Sequence, residues 1–154
     1  MLSLTPPAGF EFAFKEYLFN SENHRKSQIL TGWQSFYWLD FKKNAITAVW
    51  HLHINENDAI SPYRATFGGP QFSSGLPLRD LTTFIQAVTE YLKERNIKAI
   101  KTILPPQGYD NAQFVKMYQA YSDSDYYPTK SEIVAGIPID SHSFESIIHT
   151  SERK

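Results

Sequence analysis

The sequence predicts an α+β domain whose mainly antiparallel sheet is flanked by helices. Three observations carry the prediction. Two strand-like runs, Trp33–Phe41 and Ile46–Asn55, are joined by a link so short that they must pair as a hairpin. Past about residue 78 the apolar period lengthens from two residues to between three and four, then alternates, giving helix, strand, helix, strand, helix. The 154 residues, 42% of them hydrophobic, suit one layered core.

The elements follow in order. Phe10, Phe14, Tyr17 and Leu18 fall near helical spacing, which predicts a short amphipathic helix, and the polar stretch Asn20–Lys26 reads as a loop. Phe36, Tyr37, Trp38 and Leu39 lie in the first strand, and Lys42-Lys43-Asn44 is its turn. In the second strand Ile46, Ala48, Trp50, Leu52 and Ile54 share one face. Thr47, Val49, His51, His53 and Asn55 share the other. Asn55–Asp58 turns the chain into a third extended segment, Ala59–Phe72. Pro62, Gly68-Gly69 and Pro70 mark that segment as irregular.

Leu81, Ile85, Val88 and Leu92 then trace the stripe of a helix from Leu78 to Arg95, with Pro77 at its entry and Asn96 at its stop. A strand over Ile97–Leu104 ends at Pro105-Pro106. Asp110, with Gln113 three residues on, caps a second helix whose buried face reads as Phe114, Val115, Tyr118 and Tyr121. Ile133, Ala135, Ile137 and Ile139 alternate as a last strand. A final helix starts at Ser141 or Ser143 and carries Phe144, Ile147 and Ile148.

Composition excludes several function classes. Fifteen Lys and Arg against sixteen Asp and Glu leave a formal net charge of −1, so no overall basic field draws nucleic acid or anionic lipid. Without cysteine there is no disulfide, thiolate zinc site or cysteine nucleophile. That absence suits a cytoplasmic protein. Met1–Pro7 lacks the basic and apolar regions of a signal peptide, and no run approaches the ~20 apolar residues of a membrane span. No P-loop, dinucleotide fingerprint or Ser/His/Asp order is present.

Three blocks carry a family resemblance: Ser61-Pro62-Tyr63-Arg64-Ala65-Thr66-Phe67-Gly68-Gly69, Ile103-Leu104-Pro105-Pro106-Gln107-Gly108-Tyr109-Asp110, and the terminal His149–Lys154. Together, over about residues 33 to 154, they resemble bacterial GNAT-like proteins of the double-domain kind, similar to the Fem-type peptidoglycan aminoacyltransferases. The resemblance implies a mixed sheet and an N-acyltransferase-type protein in which this chain is the N-terminal half. The partner it implies is a second GNAT-like domain. A homodimer partner serves the alternative of a non-catalytic interaction module, and a free-standing acetyltransferase is the third reading.

It also implies a cofactor, acetyl-CoA or another acyl-CoA, held on backbone N–H groups of a Gly-rich loop before a helix. Amides and helix dipole both favour phosphate there. The matching corner is Phe72–Pro77, with Ser73, Ser74 and Gly75 as the candidate contacts. It departs from the pattern: one glycine, no Arg or Gln before it, and a proline that removes a donor. A degenerate acyl-donor site is therefore expected, with a structural or acceptor-binding role for this half.

Arg64, beside the glycine pair, is a candidate anion contact, and it serves equally to hold a turn. Tyr126 and Tyr127, like Tyr118 and Tyr121, form a tyrosine cluster of the kind from which such enzymes take a general acid. Aromatic side chains more often fill cores. Glu132 is a candidate base or a plain edge-strand charge. His51 and His53, at i and i+2 of a strand, share a face and could converge on a metal. Two histidines on an exposed sheet face are the simpler reading, and no metal ligand is assigned.

Overall fold

The computed structural model describes residues 1–28 and 31–133. Seven strands form one sheet: β1 (Leu2–Ser3), β2 (Glu11–Phe12), β3 (Trp33–Asp40), β4 (Ala45–Asn55), β5 (Asp58–Ser61), β6 (Gln71–Phe72) and β7 (Ala99–Thr102). Among the described residues three α-helices accompany them: α1 (Glu22–Ser27), α2 (Leu78–Lys93) and α3 (Asn111–Ser122). The mixed, mainly antiparallel α+β architecture agrees with the sequence. The expected last strand and final helix lie outside the described residues, apart from Ile133.

The long strand β4 organises the sheet. Antiparallel β3 runs along one edge for its whole length. The other edge is shared in turn by β2, which pairs parallel at Ala45 and Ile46, by β6 at Ala48 and Val49, and by β5 at His53 to Asn55. β7 then lies parallel to β5. A parallel neighbour needs a crossover, and α2 supplies it.

A bulge divides β4. Trp38 pairs with Ala48 but Leu39 pairs with Ile46, leaving Thr47 as an extra residue. Its hydroxyl donates to Trp38 O (3.1 Å), and its carbonyl accepts from Ser73 N–H (2.9 Å). The extra residue reverses the alternation. Ile46, expected beside Trp50, instead joins Tyr37, Leu39 and Val49 on the opposite face.

The two faces are covered differently. On the Trp50 face, Phe36, Leu52 and Phe72 pack against Leu81, Phe84, Ile85, Val88 and Leu92 of α2 and against Met117, Ala120 and Tyr121 of α3. α2 ends as the sequence indicates. Asn96 adopts φ 61°, Asn96 N–H reaches Lys93 O, and Ile97 N–H reaches Leu92 O, a Schellman closure. Asp110 caps α3 by accepting from Gln113 N–H at 3.0 Å. The buried face of α3 is rotated from expectation: Met117, Ala120 and Tyr121 are buried, while Val115 and Tyr118 are 55% and 47% exposed.

The second face lies under a strap, residues 10–28, in place of the predicted amphipathic helix. Phe10, Phe12 and Phe14 pack on Tyr37, Leu39, Ile46 and Val49. Tyr17 and Phe19 meet Phe67 edge-on. The stretch expected to be a loop forms α1, because Ser21 caps it by accepting from His24 N–H (3.3 Å) and Glu22 pairs with Lys26 (2.7 Å). Gln71 of β6 fastens the strap. Its Oε1 accepts from Tyr17 N–H (2.8 Å), and its Nε2 donates to Lys15 O (2.6 Å).

Candidate functional site

The corner that joins β6 to α2 is where an acyl-CoA pyrophosphate would sit in a GNAT-like fold. Two of its N–H groups, those of Ser73 and Leu76, are engaged within the protein, whereas those of Ser74 and Gly75 have no acceptor among the described residues. Ser73 N–H donates to Thr47 O, and Leu76 N–H donates to Ser73 O (both 2.9 Å). Pro77 occupies the N-cap of α2 and has no N–H to give. The Lys116 ammonium of α3 reaches across to Ser74 O (2.9 Å) and Leu76 O (3.1 Å). Ser74 and Gly75 are exposed and Ser73 is half-buried. The corner is thus a loop pinned to α3 through its carbonyls, and it holds few of the convergent amides a diphosphate requires. Lys116 carried no signal in the sequence, because a lysine on a helix reads as solvated until its neighbour in space is known.

The other candidates are scattered. Arg64 sits at φ 52° with its guanidinium 5.4 Å from the Tyr63 ring, on the far side of the Gly68-Gly69 turn from the corner's sequence. Its carbonyl accepts from Gln28 Nε2 at 3.5 Å. The glycine pair serves packing: a Cβ at Gly68 would lie 2.7 Å from Pro62 N and 2.8 Å from Ser61 Oγ. Gly69 N–H donates to that Ser61 oxygen (2.9 Å).

Tyr126 and Tyr127 do not share a site. Tyr127 is 79% exposed. Tyr126 packs on Trp50 and Tyr121 and shares a 2.7 Å hydrogen bond with Thr89. Burial pushes its phenol up to about 12, against a smaller opposing effect of Thr89. Tyr121 is driven well above the usual tyrosine range, again chiefly by burial. The Thr102 hydroxyl opposes that shift weakly, and a Cβ at Gly69 would lie 3.1 Å from Thr102 Oγ1 and 3.5 Å from the Tyr121 hydroxyl. Glu132 is exposed and pairs with Lys130.

The histidines correct the expected exposed face: both are buried, His51 on the face that carries the strap and His53 against Trp33 and Tyr63. His51 is 2% exposed and His53 8%. They do not converge. His53 stacks on Tyr63 (centroids 4.0 Å apart) and its Nε2 lies 3.0 Å from Thr31 O. His51 Nδ1 lies 2.7 Å from Ser35 Oγ, and its Nε2 is buried without a partner among the described residues. Burial first, and the Arg25 charge second, hold the His51 imidazole well below its ordinary range. Glu16, raised mainly by burial, shares its field with Arg25, whose Nη1 donates to Asn20 O (2.6 Å). No group of three or more potential metal ligands occurs among the described residues.

A recess between strap and α3, lined by Tyr17, Phe72, Pro105, Tyr109, Phe114 and Met117 among others, offers about 10 Å³, room for about one water. The roomier recess is an open one of about 260 Å³ beside α1, lined by Glu22, Arg25, Lys26 and Trp33. No helix among the described residues is long and apolar enough to cross a membrane. Against known proteins, the chain matches no family model, no curated protein and no solved structure.

Proposed function

We propose that this chain is a GNAT-like domain of an N-acyltransferase-type protein, with a degenerate acyl-donor corner and a structural or acceptor-binding role. One observation carries the reading. At the strand-to-helix corner, Ser73 and Leu76 spend their N–H groups internally, Pro77 has none, and Lys116 ties Ser74 O and Leu76 O to α3. The crossover from β5 through α2 to the parallel β7 supports the fold part of the proposal. The apolar Val115 and Tyr118 on the outer face of α3 favour contact with a further domain or a second copy.

Thermal unfolding with acetyl-CoA tests the corner. A ligand at about 100 times its Kd stabilises the native state by about 2.7 kcal/mol, which shifts Tm by several degrees. The expected result at millimolar acetyl-CoA or CoA is no shift. A rise of several degrees, abolished by Ser74→Pro, would overturn the degenerate site. Sedimentation of the wild type beside Val115→Glu tests the α3 face, and self-association that the substitution removes identifies a second copy as its cover.

A further inference from the structure

We propose that residues 10–28 are an acid-released strap, held over the second face of the sheet while His51 is neutral and lifting from it when His51 takes up a proton. The inference is independent of the acyltransferase reading. His51 lies on the central strand β4, and it is hidden by the strap. Phe12 lies on Tyr37, whose ring edge meets His51 at a centroid separation of 6.0 Å.

Among the described residues, the groups facing the ring offer no acceptor for a second proton-bearing nitrogen. β3 presents the Ser35 hydroxyl, already engaged at Nδ1, and the Tyr37 ring. β6 presents Gln71, whose amide is committed to the strap. α1 presents Arg25, a cation that repels an imidazolium. The carboxylate of Glu16, on the strap ahead of α1, acts on Arg25.

Charging the ring therefore leaves a buried cation without a counterion or an acceptor for Nε2, an arrangement costly to retain. Two routes relieve it: unfolding the sheet, or lifting the strap. The strap is the cheaper route. Its backbone joins the sheet through the two residues of β2, with Glu11 N–H to Asn44 O (3.2 Å), Ala13 N–H to Ile46 O (3.0 Å) and the Gln71 bonds, beside the packing of Phe10, Phe12 and Phe14. Lifting it takes Arg25 away and hydrates His51, while the β3–β4 hairpin and the α2 and α3 core stay in place. A segment joined to the sheet by so few backbone bonds can open locally, below the global free energy.

The sign follows from linkage. The open state binds a proton near the ordinary imidazole value of about 6.5 and the closed state does so only at lower pH, so the open population grows as pH falls. Between pH 7 and pH 5 the growth reaches at most about 25-fold. Glu16 works in the opposite direction. Its carboxyl is raised in the closed state, so its protonation favours closure at the acid end of the range.

Native-state hydrogen exchange, read as protection factors so that intrinsic exchange is removed, tests this on the whole chain. The reporters are Ala13 and Tyr17 in the strap, and Val88 in the α2 core. At pH 7 the strap amides should be less protected than Val88, and at pH 5 their protection should fall several-fold, up to about 25-fold. In His51→Gln the strap protection should hold or rise on acidification. Equal protection of strap and core at pH 7 would refute local opening. So would strap protection unchanged between pH 7 and pH 5 in the wild type, or a full acid response persisting in His51→Gln. The first two readouts need no variant, so they decide the matter even if His51→Gln does not fold.

Discussion

Replacing Gln71 with methionine removes the bracket that ties the strap to the sheet while keeping nearly the same shape. Gln71 is 5% exposed and makes two well-formed bonds, from Tyr17 N–H at 2.8 Å and to Lys15 O at 2.6 Å. A third approach, from Asn20 Nδ2, is long at 3.4 Å and is left out of the sum. Orphaning a buried donor costs about 1–3 kcal/mol. Tyr17 N–H, only part-buried, takes the low half of that range, about 1–2 kcal/mol. Lys15 is exposed, so water replaces its lost partner and the cost there is under about 1 kcal/mol. The methionine thioether recovers some of this by apolar burial. The net loss should be about 2 kcal/mol. Urea unfolding followed by tryptophan fluorescence would show it as a midpoint lower by roughly 1 M at unchanged slope. A loss under about 0.5 kcal/mol would mean that the aromatic contacts, not the amide bracket, hold residues 10–28 down.

Three further outcomes follow from the same coordinates. Stability should decline with acid below about pH 6.5, because the unfolded chain protonates His51 first; the limiting slope is about 1.4 kcal/mol per pH unit, and His51→Gln should flatten it in urea titrations. Gly68→Ala should cost about 1–3 kcal/mol in the same assay, since its Cβ would press on Pro62 N and Ser61 Oγ, neither of which can retreat far. Tyr126→Phe should cost about 1 kcal/mol through the lost Thr89 bond, and in alkaline difference spectra it should remove a phenol that ionises only near 12.

Regular periodicity was legible from sequence, and long-range covering was not. The α2 stripe of Leu81, Ile85, Val88 and Leu92 and the Asp110 cap of α3 depend on neighbours within a turn or two, and both occur. Ile46 changed face because of Thr47, and a bulge inserts no recognisable residue type. In α3 the faces through Tyr118 and through Met117 have similar apolar content, so only packing against α2 and Trp50 selects one. The candidate site fared worse. The Ser73–Gly75 corner is where the chain order put it, yet its partner Lys116 lies 40 residues from Leu76. Gln71 and the burial of His51 had no local signature, because both depend on a strap that itself lacks regular periodicity.

Because one edge of β4 is divided among residues 11–12, 71–72 and 58–60, two remote stretches of chain and the adjacent β5 share a single template. The two remote stretches face long loop closures, whereas β3 and β5 close on β4 through links of four and two residues, which makes those pairings fast. Assembly should then proceed outward from that ribbon. Cutting the chain at Lys42-Lys43 and rejoining its ends elsewhere would delay every later step, whereas a cut near Gln107-Gly108 would leave the early steps untouched.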